Sequence, residues 1–137
     1  MDNDQLKKIN YALIDTFLMA GDRSIELIRI GLKKEIKSEN TPVTNGDIEV
    51  NKILTEKIKN ITSDIPIVSE ESTTNKSNNN LNDFWLIDPI DGTHDYINNK
   101  DEFTINAGLI INKKPKLGII YAPAKKRLLY TYGNGSS

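Results

Sequence analysis

Residues Phe84–Thr93 read FWLIDPIDGT, an apolar run that ends in two aspartates and a Gly-Thr pair. Four large apolar residues after a polar tract predict a short buried strand over Phe84–Ile87. Because Pro89 lacks a backbone donor, we expect the strand to end there. Gly92 frees the following turn, and Thr93 can begin a helix. The stretch therefore predicts a strand that brings carboxylates to the mouth of a sheet.

The end of this strand offers both oxygen ligands and backbone donors. Asp88, the carbonyl of Ile90 and Asp91 can converge on a hard cation such as Mg²⁺. The N–H groups of Gly92 and Thr93 would face the same point, which suits a phosphate. A D-x-x-D-G sequence is also common in solvated turns and hairpins, so the stretch alone leaves an ordinary turn equally open.

The composition is that of one globular domain without a nucleic-acid partner. The chain has 137 residues, 37% of them hydrophobic and 27% charged, with a net charge of −1. That balance lacks the basic excess of nucleic-acid-binding proteins, and no apolar run approaches the ~20 residues of a transmembrane helix. Residues Met1–Lys8 are polar and of mixed charge, unlike a signal peptide. We expect a cytoplasmic protein, with peripheral binding at the inner face of the membrane as an alternative.

Cysteine and histidine usage restricts the kind of metal site. The chain has no cysteine and one histidine. Disulfides and thiolate sites are therefore excluded, and a zinc centre is disfavoured. Any metal would be bound through oxygen.

The first part of the sequence predicts two amphipathic helices. Apolar residues at helical spacing predict a helix over Asp4–Glu35, in which Gly21 could introduce a kink. The segment Thr44–Asp47 resembles a capping box with Asp at its fourth position and begins a second helix that runs to about Thr62. From this pattern alone, Asp47 is best interpreted as a first-turn acid that favours the positive end of the helix dipole.

A short strand is predicted over Asp64–Ser69, followed by Glu70 and Glu71. A strand that delivers acids at its end repeats the arrangement at Asp88, although an acidic pair after a strand is often only an exposed loop. Residues 73–83 are rich in Asn, Ser and Thr and predict a mobile polar loop.

The last part of the sequence predicts an antiparallel meander. Strands are expected over Phe103–Ile111, Leu117–Tyr121 and Arg127–Tyr132, with a turn at Asn112–Pro115. The expected fold class is α+β, with two N-terminal helices packed on one face of a largely antiparallel sheet.

Three motifs carry a resemblance to a known family. They are Pro42–Asp47 (PVTNGD), Ser69–Glu71 (SEE) and Trp85–Thr93 (WLIDPIDGT). The chain resembles the Mg²⁺-dependent, lithium-sensitive phosphatases of the inositol monophosphatase superfamily. Glu102–Asn106 (EFTIN) and Gly118–Ala124 (GIIYAPA) make it most similar to the 3'(2'),5'-bisphosphate nucleotidase branch, the CysQ type. The resemblance implies the N-terminal layer of an αβαβα fold.

The resemblance implies a ligand set for two or three Mg²⁺ ions, with inhibition by lithium. Glu70, Asp88, Asp91 and the carbonyl of Ile90 would be the metal ligands. Glu70 and Asp91 would also contact the substrate. Because clustered carboxylates repel one another without cations, such a set itself implies a bound metal.

The resemblance also implies the residues of the reaction. Asp47 and Thr93 would position and deprotonate the attacking water. The amides of Gly92 and Thr93, with His94, would hold the phosphate. Residues 94–96 read His-Asp-Tyr where the nucleotidase branch usually has Lys-Glu-Phe.

Members of the family are considerably longer than this chain. Trp85 is the only tryptophan, so the Trp-Asp motif of the family's second half is missing. Residues 1–137 are therefore expected to form an N-terminal domain without the C-terminal α/β half. Apolar side chains such as Ile105, Leu109 and Ile119 would then lack cover, which predicts self-association.

Three functions remain open at this stage. The leading one is a Mg²⁺-dependent phosphomonoesterase that removes the 3'-phosphate of adenosine 3',5'-bisphosphate by a metal-activated water, in sulfur metabolism. An inositol or sugar monophosphatase is the alternative within the same class. A non-catalytic fragment or interaction module is the alternative outside it.

Overall fold

The computed structural model describes residues 1–36, 42–69, 81–98 and 102–133. Three helices and seven strands lie in these ranges, together with a 3₁₀ turn at Pro123–Lys125. The helices are α1 (Asn3–Ile30), α2 (Asn45–Ile61) and α3 (Thr93–Ile97). The strands are β1 (Lys34–Ile36), β2 (Pro42–Thr44), β3 (Ile67–Ser69), β4 (Phe84–Asp91), β5 (Thr104–Ile111), β6 (Lys114–Ala122) and β7 (Arg127–Tyr132).

The main sheet has five strands in the order β3-β4-β5-β6-β7. The β3–β4 pair is parallel and the other three pairs are antiparallel. Helix α1 packs against β6 and β7, and α2 packs against β4. The predicted α+β class, with two helices on a largely antiparallel sheet, is confirmed. A separate antiparallel pair, β1–β2, was not predicted.

Helix α1 is uninterrupted but shorter than predicted. It passes through Gly21 without a break, and a Cβ there would lie 2.3 Å from the Tyr121 ring, so the close contact between helix and sheet requires glycine. The helix ends at Ile30 because Gly31 adopts a φ of 112°, which favours glycine. The predicted end at Glu35 was wrong, since the chain has entered β1 by Lys34.

The interpretation of Pro89 was also wrong. Strand β4 continues through Pro89 to Asp91, and its register with β5 shifts between Asp88 and Asp91. This shift is a β-bulge, where one residue of the strand is left out of the ladder. A proline is tolerated there because no donor is needed. The bulge redirects the last residues of β4, which are the predicted metal ligands.

Two other boundaries differ from the predictions. Strand β3 covers only Ile67–Ser69, because Ile65 N donates to Thr62 O (3.1 Å) in a turn that follows α2. The β5–β6 connection is a two-residue turn in which Asn112 and Lys113 both have positive φ, the geometry that best matches the twist of a hairpin. Residues 73–80 of the predicted polar loop at 73–83 lie outside the described residues.

The helix-facing side of the sheet forms the core. Trp85 is fully buried, and its Nε1 donates to Thr62 Oγ1 (3.0 Å), which ties β4 to the end of α2. The prediction that Ile105, Leu109 and Ile119 lack cover was wrong, since all three are buried under the helices. The core also contains Leu6, Leu13, Phe17, Ala20, Val50, Leu54, Ile58, Ile87, Phe103 and Leu117.

The opposite face of the sheet, called the open face here, has large apolar side chains that are exposed to solvent. Leu86, Ile120 and Leu129 are 52%, 45% and 59% exposed. They line a groove whose floor includes Gly108 and Gly118. Side chains alternate between faces along a strand, so Ile120 is exposed on this face while its neighbour Ile119 is buried on the helix-facing side. Self-association through this face stays a prediction.

Asn10 is a polar residue in the core. Its side chain is fully buried in α1, and neither Oδ1 nor Nδ2 has a hydrogen-bond partner in the part of the chain that the structure describes. We predict that Asn10→Leu, which keeps the branched shape and removes both polar atoms, raises the free energy of unfolding by about 1–2 kcal/mol. Urea unfolding measures this change, and a destabilised variant would contradict it.

No helix among the described residues has the length and apolarity needed to cross a membrane.

Candidate functional site

The carboxylate of Asp47 is held in one orientation by the start of α2. Thr44 is the N-cap, and its backbone N–H and its hydroxyl both donate to Asp47 Oδ2, at 2.8 and 2.6 Å. The Asp47 amide donates back to Thr44 Oγ1 (3.2 Å), which completes the predicted capping box. Asp47 is buried. One carboxylate oxygen is therefore occupied by the cap, and the other, Oδ1, faces away from it.

Thr93 meets that second oxygen. Its hydroxyl lies 3.2 Å from Asp47 Oδ1 and 3.2 Å from the Ile90 carbonyl oxygen. A hydroxyl carries one proton, so it donates to one of these acceptors at a time. The structure thus brings together two predicted reaction residues that are 46 positions apart, and it places a predicted metal ligand beside them.

The bulge of β4 sets the positions of the remaining predicted ligands. Asp88 pairs with Asn106 of β5 and is half-buried, whereas Asp91 pairs with Thr104 and is exposed. Gly92 has a φ of 86°, which turns the chain out of β4 and into α3. Asp88, Ile90 and Asp91 therefore lie within one short, irregular strand end next to Thr93.

The donor chemistry of this strand end fits a hard divalent cation. Asp88, the Ile90 carbonyl and Asp91 offer oxygen only, as Mg²⁺ and Ca²⁺ prefer. Within the described ranges, no three His, Cys, Asp or Glu side chains form a group that could hold a metal ion. Glu70, the other predicted acid, lies outside the described residues.

The predicted phosphate contacts are described only in part. The amides of Gly92 and Thr93 lie at the start of α3, whose first-turn N–H groups have no preceding carbonyl within the helix. His94 belongs to α3, but its side chain lies outside the described residues. Contacts of Glu70 and His94 with a substrate stay predictions.

Tyr96 fixes α3 against both long helices. It is fully buried, and its hydroxyl donates to the Ser24 carbonyl of α1 (2.8 Å). Its ring meets Phe103 edge-on, with centroids 4.7 Å apart. A Cβ on Gly46 of α2 would lie 2.2 Å from the Tyr96 hydroxyl oxygen, so the contact requires glycine there.

The sequence pattern assigned no site role to Thr44, Gly46 or Tyr96. The T-x-x-D spacing predicted the cap, and the same spacing could have indicated that Thr44 orients the carboxylate of Asp47. No local signal relates Tyr96 to Gly46 or Ser24, because those contacts arise only from the packing of the three helices.

The buried phenol predicts a loss of stability at high pH. Burial is the main cause that raises the pKa of Tyr96, and the carboxylates of Asp47 and Glu49 raise it further, whereas Arg23 lowers it. The folded state therefore holds the phenolic proton more tightly than the unfolded chain does. We predict that the free energy of unfolding falls as pH rises above about 10.

The check for this prediction is thermal unfolding between about pH 8.5 and 11. Tyr96→Phe should show a smaller decrease than the wild type. The pKa of Tyr121 is also raised, mainly by burial, so Tyr121 contributes to the decrease in stability equally in both proteins. Identical pH profiles for the two proteins would contradict the assignment.

Comparison with known proteins identifies the family. Residues 2–137 match the sequence profile described as the inositol monophosphatase family. The chain belongs to the inositol monophosphatase family. The resemblance carried by the three sequence motifs is thereby confirmed.

Curated relatives of the chain include bacterial proteins named 3'(2'),5'-bisphosphate nucleotidase CysQ. The Haemophilus influenzae protein is 39% identical over 98 residues, which cover 70% of this chain and 36% of the relative. The Buchnera aphidicola protein is 43% identical over 88 residues, 64% of this chain and 33% of the relative. The matched part of the chain thus spans about a third of each of these two relatives.

Solved structures of the family share the fold. An IMPase from Thermotoga maritima is 25% identical, with a TM-score of 0.81 over 94% of this chain and 49% of that protein. A staphylococcal inositol monophosphatase, 23% identical, gives a TM-score of 0.84 over 95% of this chain and 50% of that protein. This chain therefore corresponds in fold to about half of each of these inositol monophosphatase family structures.

Proposed function

We propose that the chain carries the water-activating and metal-binding part of a phosphomonoesterase. The observation that supports this most strongly is the approach of Thr93 Oγ1 to Asp47 Oδ1 (3.2 Å) beside the Ile90 carbonyl. A threonine hydroxyl that is bonded to a buried carboxylate is suited to deprotonating a water molecule. The oxygen ligands at the end of β4 would hold a cation close to that water.

Thr93 and Asp47 act as a relay in this proposal. When the Thr93 hydroxyl donates to Asp47 Oδ1, its oxygen lone pairs can accept a hydrogen bond from a water. Asp47 can then take a proton through Thr93 as the water attacks phosphorus. Thr44 keeps Oδ1 aimed at Thr93, because Oδ2 already accepts both Thr44 donors. No protein nucleophile is required, which suits a chain without cysteine.

The ligand set proposed for the metal is Asp88, the Ile90 carbonyl, Asp91 and Glu70. Bound Mg²⁺ would lower the pKa of the attacking water and neutralise charge on the phosphate and on the leaving oxygen. Two or three ions and inhibition by lithium are proposed from the family resemblance. The amides of Gly92 and Thr93, with His94, would bind the phosphate.

The substrate proposed is adenosine 3',5'-bisphosphate, cleaved at its 3'-phosphate. The curated relatives named 3'(2'),5'-bisphosphate nucleotidase support this choice. An inositol monophosphate is the second candidate, favoured by the likeness to the Thermotoga IMPase. A nucleotide substrate makes a cytoplasmic location part of the proposal.

The experiment is an assay of phosphate release from adenosine 3',5'-bisphosphate and from inositol 1-phosphate, with and without Mg²⁺. We expect Mg²⁺-dependent release from the bisphosphate, lost in Asp91→Asn. Asp64→Asn is the matched control. Asp64 is an exposed acid that follows the C-terminal end of α2, whereas Asp47 lies in the first turn of that helix.

The outcomes separate the candidate functions. Preferential release from inositol 1-phosphate would favour the second candidate. A folded protein that releases phosphate from neither substrate would show that the chain is non-catalytic on its own.

A further inference from the structure

Helix α3, which carries Thr93, has too few residues to be stable without contacts to the rest of the protein. It spans Thr93–Ile97, a little more than one turn. Isolated helices shorter than about 12 residues are marginal in water, so tertiary contacts must fix α3. The one side chain of α3 that is buried among the described ones belongs to Tyr96.

Tyr96 reaches both elements that the reaction pair depends on. It lies three residues after Thr93, and side chains at this spacing share one face of a helix. Its ring packs against Gly46, the residue immediately before Asp47. Its hydroxyl bonds to Ser24 of α1. One side chain therefore links α3, which carries Thr93, both to α1 and to the start of α2, where Asp47 is capped.

We infer that Tyr96 is a positioning residue that holds Thr93 Oγ1 in reach of Asp47 Oδ1, through its contacts with Gly46 and Ser24. The inference rests on the proposed function, in which this pair activates the water. Tyr96 itself does not touch the reacting atoms. Its raised pKa keeps the phenol protonated, so that it remains a donor to Ser24 throughout the pH range of an assay.

The chain offers a matched control for ordinary core packing. Gly21 and Tyr121 form a second pair of helix glycine and buried tyrosine, in which a Cβ on the glycine would lie 2.3 Å from the ring. Tyr121 lies on β6, which carries none of the site residues. If Tyr96 only fills the core, removing its hydroxyl should affect kcat no more than the same change at Tyr121 does.

The kinetic experiment compares Tyr96→Phe with Tyr121→Phe in the assay of Mg²⁺-dependent phosphate release. Tyr96→Phe keeps the ring, removes the bond to Ser24 and carries the residue that the nucleotidase branch usually has here, so it tests whether this chain depends on that bond to hold α3. We expect kcat to fall about fivefold to tenfold with KM little changed, because misplacement of a reacting group affects the chemical step. Tyr121→Phe should leave kcat unchanged even where it lowers the melting temperature equally.

Coupling to Thr93 distinguishes positioning from a general loss of stability. In a Thr93→Val background, the effect of Tyr96→Phe on kcat should largely vanish, because the group that it positions is already gone. Additive effects of Tyr96→Phe and Thr93→Val would overturn the inference. An equal loss of kcat in Tyr121→Phe would also overturn it.

Hydrogen exchange gives a readout that needs no activity. The Tyr96 amide donates to the Gly92 carbonyl (3.0 Å) at the start of α3. We expect Tyr96→Phe to speed exchange of the peptide spanning residues 92–98 about tenfold, as expected for loss of one buried hydrogen bond. Tyr121→Phe should leave that peptide unchanged.

The exchange result stands even if the wild-type chain releases no phosphate. Lack of turnover would refute the proposed function for this chain, whereas equal exchange in both variants would refute the positioning of α3 by Tyr96.

Discussion

Asp47→Asn is expected to lower kcat for phosphate release by about three orders of magnitude while the protein stays folded. The amide oxygen of asparagine can accept both Thr44 donors in place of Oδ2. Its NH₂ group then faces Thr93, where it can donate a hydrogen bond but cannot accept the proton of the water. The cap is retained and the base is lost. Phosphate release and thermal unfolding, measured on the same samples, check both parts.

Thr93 provides the companion test of the relay. Thr93→Val keeps the branched shape and removes the hydroxyl, so we expect a loss of kcat of about a hundredfold or more. Thr93→Ser restores the hydroxyl and should recover most of the activity. If Thr93→Ser were as inactive as Thr93→Val, the hydroxyl would not be the functional group.

The second large effect is expected on stability, at two neighbouring isoleucines of β6. Ile119 is fully buried under the helices, whereas Ile120 is 45% exposed on the open face. Ile119→Ala should lower the free energy of unfolding by about 2–5 kcal/mol, because it removes buried apolar atoms and leaves a cavity. Ile120→Ala should lower it by less than about 1 kcal/mol in a monomer.

Chemical denaturation of both variants, at two protein concentrations, makes the comparison. Since the two substitutions are chemically identical and adjacent, they differ only in the face of the sheet. A large loss at Ile120 that grows with protein concentration would mean that the open face is buried between copies of the chain. Equal losses independent of concentration would contradict the assignment of the two faces.

The sequence was most informative where the signal is local. The T-x-x-D pattern predicted the cap at Thr44 and therefore the start of α2, because both halves of a capping box lie within one turn. The strand β7 and the helical turn after Gly92 were likewise predicted from the residues of each segment and the turn residues before it. In each case, the residues that decide the structure are neighbours in the chain.

The predictions that were wrong concern features of the fold that tertiary contacts determine. Pro89 indicated the end of a strand, but a bulge in β4 removes the need for its missing donor. The open face of the sheet was assigned to Ile105 and Ile119, because alternation shows two faces without showing which one the helices cover. The register of the sheet and the docking of α1 settle this, and both are long-range.

The candidate site shows the same division. Asp88, Ile90 and Asp91 were identified as oxygen ligands from one short stretch of sequence. The pairing of Asp47 with Thr93 came from the family resemblance alone, since nothing local relates residues 46 positions apart. Tyr96 was noted only as a departure from the branch pattern, because its contacts with Ser24 and Gly46 depend on how three helices meet.

The most direct test of the central claim is Mg²⁺ binding by isothermal titration calorimetry. The claim is that the bulged end of β4 forms an oxygen-ligand metal site beside Thr93 and Asp47. The wild type and the Asp64→Asn control should bind Mg²⁺ with similar affinity, and Asp91→Asn should lose most of that binding. A wild type that binds no Mg²⁺, or an Asp91→Asn variant that binds it as tightly as the wild type, would contradict the claim.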